Sequence, residues 1–118
     1  MSKESFLTKE RLKKNEAIKA VLDKGICLRS KSLNIYILKK QDKSVNKAAF
    51  ICKKALHQKK AVLRNRIKRI LKEAYRKTKY IFPAEHDIVI IGTRVFYDTV
   101  STDIENEIRD VVSKYNKK

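Results

Sequence analysis

Apolar residues near the start of the chain recur at helical spacing. Ile18, Val21 and Leu22 share one side when successive residues are set about 100° apart, which predicts a short helix over about residues 16–24. Asn15 carries a side chain suited to cap the N-terminus of this helix. Gly25 is expected to end it in the left-handed conformation that glycine tolerates.

The next segment changes to two-residue alternation. Residues 33–38 alternate so that one face of a predicted strand carries Leu33, Ile35 and Ile37 and the other carries Asn34, Tyr36 and Leu38. A weaker strand is expected before it, over residues 26–29. The polar segment 39–46 is typical of a turn. Residues 47–52 are therefore predicted to return as a third antiparallel strand, in a hairpin with the second.

The second half of the chain contains two longer helical patterns and one apolar run. A long helix is predicted over about residues 61–79, before a break near Pro83. Residues 87–91 consist of Asp87 followed by a continuous apolar run, which predicts a strand covered on both faces. A final helix is predicted over about residues 101–115. Its apolar stripe consists of Ile104, Ile108, Val111, Val112 and Tyr115.

The order of these elements predicts an α+β fold. One sheet of about four strands, backed by helices, follows from the order α-β-β-β-α-β-α, and the strand–helix–strand part forms a crossover unit. Glycine occurs only at positions 25 and 92 and proline only at 83, so no flexible linker divides the chain. Residues 1–118 are expected to form a single domain.

The distribution of charge indicates that the protein binds a polyanion. The 118 residues carry a net charge of +17, and residues 1–80 alone have a balance of +19. No acidic residue occurs from Lys43 through Lys72, although 11 positions there are Lys or Arg. Such a field favours nucleic acid as the partner. A membrane partner is not expected, because the basic segments lack a bulky apolar face and the chain has no Trp.

Further composition features point to a cytoplasmic protein. No apolar run approaches the roughly 18 residues of a membrane span, and the first residues do not resemble a signal peptide. Cys27 and Cys52 are too few for a disulfide framework, and their spacing does not suit a zinc site. Both are predicted to be free thiols, and a structural metal is not expected.

The long helix carries the strongest functional signal. Its apolar residues Leu63, Ile67, Ile70, Leu71 and Ala74 share one arc. The opposite side is a block of cations relieved only by Glu73, whereas a solvated helix would intersperse acidic residues. The planar guanidinium groups of the arginines on this side can each donate two hydrogen bonds to phosphate oxygens. This side consists of Arg64, Asn65, Arg66, Lys68, Arg69, Lys72 and Arg76.

The sequence Arg64-Asn-Arg-Ile-Lys-Arg69, after Lys53-Lys54, resembles the signature of the protein subunit of bacterial ribonuclease P. The segment 11–16, Gly25, Tyr36 and the apolar strand at 88–91 also stand in the order of that family, so the resemblance covers nearly the whole chain. It implies a left-handed βαβ crossover like that of ribosomal protein S5 domain 2.

The resemblance also implies an accessory role. In that family a large RNA removes the 5′ leader of precursor tRNA with Mg²⁺ bound chiefly by the RNA, and the protein is not catalytic alone. The implied partners are ribonuclease P RNA and precursor tRNA, with neither membrane nor DNA. No catalytic or metal-binding residue is expected in the protein. A small ribosomal protein or another structural RNA-binding protein is the alternative that composition leaves open.

Two sets of site residues follow from the resemblance, together with a wider basic surface. The catalytic RNA is expected to contact Arg64, Asn65, Arg66, Lys68, Arg69 and Lys72. The leader is expected in a cleft formed by Ile18, Leu22, Tyr36, Lys53 and Lys54, where Tyr36 can stack on a base. Lys59, Lys60, Arg76 and Arg94 are expected to extend the basic surface. Acidic residues of the last helix, among them Asp103, Glu107 and Asp110, are interpreted as a solvated face.

Overall fold

The structure is a computed structural model that describes residues 11–40, 45–52, 61–95 and 99–117. Within these residues three α-helices and four strands follow one another in the predicted order. They are α1 (Asn15–Lys24), β1 (Ile26–Arg29), β2 (Leu33–Lys39), β3 (Lys47–Cys52), α2 (Ala61–Thr78), β4 (His86–Gly92) and α3 (Ser101–Asn116). A 3-10 turn, Lys79–Ile81, follows α2 directly.

The four strands form one mixed sheet in the order β1-β2-β4-β3. β2 is antiparallel to both β1 and β4, whereas β3 is parallel to β4. The predicted hairpin between β2 and β3 is therefore wrong, because β4 lies between them. β4 takes the interior position because it is apolar on both faces: Ile88, Val89 and Ile90 are all 0% exposed.

The chain crosses from β3 through α2 to its parallel neighbour β4, which confirms the predicted crossover unit. The free edge of β3 receives the N-terminal segment, where the Leu12 amide donates to the Ala48 carbonyl at 3.0 Å. The left-handed sense of the crossover, which the resemblance implies, stays a prediction.

The sheet is covered on both faces by helices. Leu33, Ile35 and Ile37 of β2 point toward α2 and α3 and are at most 2% exposed, which confirms the predicted buried face. A smaller cluster around Val21 and Val89 lies on the other face, under α1. None of the helices in the described part of the chain has the length and apolar character to span a membrane.

Both ends of α1 differ from the sequence prediction. Asn15 is the first helical residue; Lys14 precedes it as the cap, without a side-chain hydrogen bond. Gly25 has φ −74°, which is not left-handed. Glycine is needed there because a Cβ atom would lie 2.7 Å from the Ile37 carbonyl oxygen and also against that of Val21. Close approach of α1 to β2, rather than a left-handed turn, therefore explains this residue.

Candidate nucleic-acid interface

Helix α2 presents cations to solvent because its apolar side is fixed in the core. Ile67, Leu71 and Ala74 are fully buried between the sheet and α3. The opposite side forms the α2 cationic face, in which Asn65, Arg66, Lys68 and Arg69 are exposed and Arg64 and Lys72 are half-buried. This confirms the predicted orientation of the helix; the RNA-binding role of these side chains stays a prediction.

The α2 cationic face begins beside the end of β3. Burial raises the pKa of the Cys52 thiol, and Lys68 and Arg64 are close enough to oppose that rise. Cys27 and Cys52 are both free thiols, as predicted. Positive charge is thus concentrated where the chain leaves the sheet to enter the crossover.

The C-terminal end of the same helix is partly neutralised. Glu73 accepts a hydrogen bond from Arg76 Nε at 3.1 Å and lies 3.8 Å from Lys77 Nζ. The hydrogen bond from Arg76 is the main reason that the pKa of Glu73 lies below its usual value. Arg76, predicted as basic surface, is therefore engaged with Glu73, and the exposed positive charge lies mainly in the N-terminal half of α2.

A groove of about 450 Å³ joins the α2 cationic face to α1 and the sheet. We call it the α1–α2 groove. It lies between the N-terminal segment, α1, β3 and α2, so one cavity brings Ile18 of the predicted leader cleft together with cations predicted to bind the catalytic RNA. Its lining residues are Arg11, Leu12, Lys13, Ile18, Ala48, Ala49, Phe50, Ile51, Asn65, Lys68, Arg69 and Lys72.

The predicted cleft residues Ile18, Leu22 and Tyr36 come together on the α1 side of the sheet. All three are half-buried against the cluster around Val21 and Val89. A hydrogen bond between the Tyr36 and Cys27 side chains raises the pKa of Tyr36, so its phenol stays neutral at physiological pH. The resulting surface is an apolar face with one aromatic ring at its centre, chemistry that suits an unpaired base.

Other predicted residues lie elsewhere. Lys53, Lys54, Lys59 and Lys60 fall outside the residues that the structure describes. Arg94 is exposed beyond β4, and its amide donates to the Ser32 carbonyl at 3.1 Å. It therefore lies beside the turn between β1 and β2 and does not line the α1–α2 groove.

Three side chains with defined places in the structure were not among the predicted site residues. Arg11 and Lys13 line the α1–α2 groove, although only their place in the family order had marked them. Glu107, interpreted as part of a solvated face, is half-buried. Its Oε1 accepts hydrogen bonds from Ser30 Oγ at 2.7 Å and from the Ser32 amide at 2.8 Å. These partners lie about 75 residues away, beyond what a local pattern can show.

Metal-ligand geometry was searched across the described ranges. Among residues 11–40, 45–52, 61–95 and 99–117, no group of three or more His, Cys, Asp or Glu side chains is placed to hold a metal ion. The cations of α2 suit phosphate oxygens, and the apolar surface around Tyr36 suits unpaired bases.

Comparisons with known proteins agree with this chemistry. The family model described as ribonuclease P matches residues 6–116. The ribonuclease P protein component of Alkaliphilus oremlandii (strain OhILAs) is 32% identical over 106 residues, which cover 90% of each chain. That of Clostridioides difficile (strain 630) is 34% identical over 105 residues, covering 87% of this chain and 89% of the relative.

Solved structures confirm the fold. The ribonuclease P protein of Staphylococcus aureus matches with a TM-score of 0.74 at 24% identity, covering 90% of this chain and 94% of its own. That of Thermotoga maritima also gives 0.74, at 20% identity, with 89% and 96% covered. Since the family model spans almost the whole chain and relatives above 30% identity cover most of it, the chain belongs to the ribonuclease P protein family.

Proposed function

We propose that this chain binds ribonuclease P RNA through the α2 cationic face and holds the 5′ leader of precursor tRNA on the α1 side of the sheet. As a ribonuclease P protein component it is the accessory subunit of an endoribonuclease that matures the 5′ end of tRNA. The cleavage chemistry belongs to the RNA, and the Mg²⁺ ions that support it are proposed to be bound chiefly by the RNA.

The observation that carries the proposal is the α1–α2 groove. Lys68 and Arg69 of α2 line it, together with Ile18 of α1 and residues 48–51 of β3. A single groove can therefore contact the phosphates of one RNA and the bases of another. This arrangement supports a protein that holds the substrate against the catalytic RNA.

Electrostatics explains how such a subunit assists cleavage without taking part in it. Two RNA molecules repel each other through their phosphates, and several clustered cations reduce that repulsion and release bound counterions. Arg66 and Arg69 offer planar forks that can hold phosphate oxygens in pairs. The protein should therefore matter most at low Mg²⁺ concentration, where metal ions screen the phosphates least.

On the α1 side, the proposed leader contacts are apolar and aromatic. Tyr36 is proposed to stack on one base, while Ile18 and Leu22 provide apolar contact. Lys53 and Lys54 are proposed to bind nearby leader phosphates. Stacking on an aromatic ring contributes about 1–3 kcal/mol per base, so Tyr36 is expected to provide much of the leader affinity.

The proposal is tested by reconstitution. Purified protein is added to a bacterial ribonuclease P RNA and precursor tRNA at low Mg²⁺ concentration, and release of the 5′ leader is followed. We expect cleavage only when RNA and protein are both present, because the protein lowers the repulsion that the sparse metal ions leave unscreened.

Two other outcomes would contradict the proposal. Leader release by the protein without the RNA would require a protein active site. Tight RNA binding with no effect on cleavage would favour the alternative, a structural RNA-binding protein of the ribosomal kind. A matched reaction with heat-denatured protein controls for nonspecific effects of added basic chain.

A further inference from the structure

A second cationic pocket lies at the turn between β1 and β2. It has a volume of about 460 Å³, and none of its lining residues belongs to α2. Three are exposed cations, and the other three carry short side chains that can donate hydrogen bonds. The lining residues are Arg29, Ser30, Lys31, Asn34, Thr93 and Arg94.

Main-chain hydrogen bonds hold the walls of this pocket in place. The Ser30 amide donates to the Leu33 carbonyl at 2.8 Å, which closes the turn. The amides of Thr93 and Arg94 donate to the Ser32 carbonyl at 2.9 and 3.1 Å, which ties the end of β4 to the same turn. The three cations thus extend from a fixed frame, so less conformational entropy is lost when they bind a ligand.

The lining of this pocket carries positive charge alone. Of the residues that the structure describes, none with a carboxylate lines it. Two carboxylates, Glu107 and Asp110, line a neighbouring cavity that shares Arg29, Ser30 and Lys31 with this pocket. Glu107 is already engaged there, because it accepts hydrogen bonds from Ser30 Oγ and the Ser32 amide. Three cations that surround one cavity repel each other unless an anion lies between them. Their chemistry, together with neutral donors, suits a phosphate group.

The pocket shares a face of the sheet with Tyr36 of the proposed base-stacking surface. Arg29 and Asn34 are partners in the β1–β2 register, as are Cys27 and Tyr36 two residues further along. Because side chains two apart share a face of a strand, Arg29 and Asn34 lie on the same face as Tyr36, about 7 Å along the sheet. Arg29 is close enough to oppose the rise in the pKa of Tyr36.

We propose that Arg29, Lys31 and Arg94 form a second phosphate-binding site, which holds the RNA backbone next to the nucleotide that stacks on Tyr36. The inference rests on the proposed function and extends it to the turn between β1 and β2. The ligand is a phosphodiester of RNA. The shared face with Tyr36 favours the leader of precursor tRNA as its source, and the catalytic RNA offers the same chemistry.

The test compares two double variants with equal loss of charge. Arg29→Ala with Lys31→Ala removes two cations of the pocket. Lys39→Ala with Lys117→Ala removes two exposed lysines that do not line the pocket. Lys39 is the last residue of β2, at the end of that strand opposite the turn, and Lys117 directly follows α3. All four side chains are exposed, so both variants are expected to keep the wild-type melting temperature, which is measured first.

Binding is then measured from 50 to 300 mM salt in two arms. In the first, protein assembled with ribonuclease P RNA binds precursor tRNA or mature tRNA without a leader. In the second, the protein binds ribonuclease P RNA alone. Each phosphate contact on a single strand contributes about 0.7 to the slope of log K against log salt. The pocket variant is expected to flatten the precursor slope by about 1.4 and to leave the mature-tRNA slope at its wild-type value.

Each outcome decides the proposal. A flattened slope in the precursor arm supports the site and assigns it to the leader, whereas a flattened slope only in the second arm supports the site and assigns it to the catalytic RNA. Slopes equal to those of the lysine control in both arms overturn it. Failure of the wild-type protein to stimulate cleavage would overturn the proposed function separately, since the second arm still tests the pocket.

Discussion

Tyr36 combines a packing role with a proposed binding role in a single side chain. Its ring is half-buried under α1, and its hydroxyl is hydrogen-bonded to Cys27. Only the exposed part of the ring is open to a ligand. The ring should therefore contribute to leader binding, whereas the hydroxyl should not.

Replacing Tyr36 separates these parts. Tyr36→Ala is expected to weaken binding of precursor tRNA to the assembled enzyme by about 1–3 kcal/mol and to leave mature tRNA binding unchanged, because the stacking surface is lost. Tyr36→Phe is the control that keeps the ring. Fluorescence anisotropy with both tRNAs checks this, and an equal loss for precursor and mature tRNA would argue against the leader contact.

The two glycines of the chain differ in how much space a Cβ atom would have at each position. A Cβ at Gly25 would meet backbone carbonyl oxygens of α1 and β2, whereas at Gly92 it would meet side-chain methyl groups of Val95 and Leu71 at 3.3 and 3.4 Å. Gly25→Ala should lower the free energy of unfolding by about 1–3 kcal/mol, since backbone must move. Gly92→Ala should cost less. Urea unfolding compares them, and a larger loss at Gly92 would show that the α1–β2 approach is not the tighter one.

At the scale of the element, α2 contains its own matched control. Lys68 and Arg69 line the α1–α2 groove, whereas Arg76 and Lys77 of the same helix are paired with Glu73. Lys68→Ala with Arg69→Ala should flatten the salt dependence of ribonuclease P RNA binding by about two units. Arg76→Ala with Lys77→Ala should change it less. Equal changes would mean that RNA responds to total charge rather than to this face.

The elements themselves could be predicted from the sequence, whereas their pairing could not. Periodicity identifies α2 and the buried face of β2 because burial follows the spacing of apolar residues within one segment. The partner of β3 depends on which strand is apolar on both faces and can therefore occupy an interior position. That strand is β4, which is distant in sequence from β2. The role of Glu107 at the turn between β1 and β2 depends likewise on a contact across the fold.

The site shows the same division between local and distant information. The α2 cationic face is visible in the sequence because it is one side of one helix. The α1–α2 groove unites four segments, so the sequence could name Ile18 and Lys68 as members of separate surfaces but not place them in one cavity. The pairing of Glu73 with Arg76, three residues apart on one helix, belongs to the local part, because i,i+3 spacing brings such side chains together.

At the scale of the whole molecule, the net charge of +17 should give folding stability and RNA affinity opposite dependences on salt concentration. Added salt screens repulsion among the cations, so the melting temperature is expected to rise by a few degrees between about 50 and 500 mM NaCl. RNA affinity should fall over the same range. Thermal unfolding followed by circular dichroism and RNA binding at matched salt concentrations check the two trends. A melting temperature that falls with salt would show that self-repulsion does not limit stability.

The interior position of β4 has a consequence for synthesis on the ribosome. β1 and β2 can pair as soon as they emerge, but β3 has no neighbouring β-strand in the sheet until residues 86–92 are made. The cationic helix α2 is therefore translated before β4, the strand that completes the core. Until β4 is made, the nascent chain is strongly basic and incompletely folded. Native pairing of β3 should thus arise late, as expected for non-local contacts.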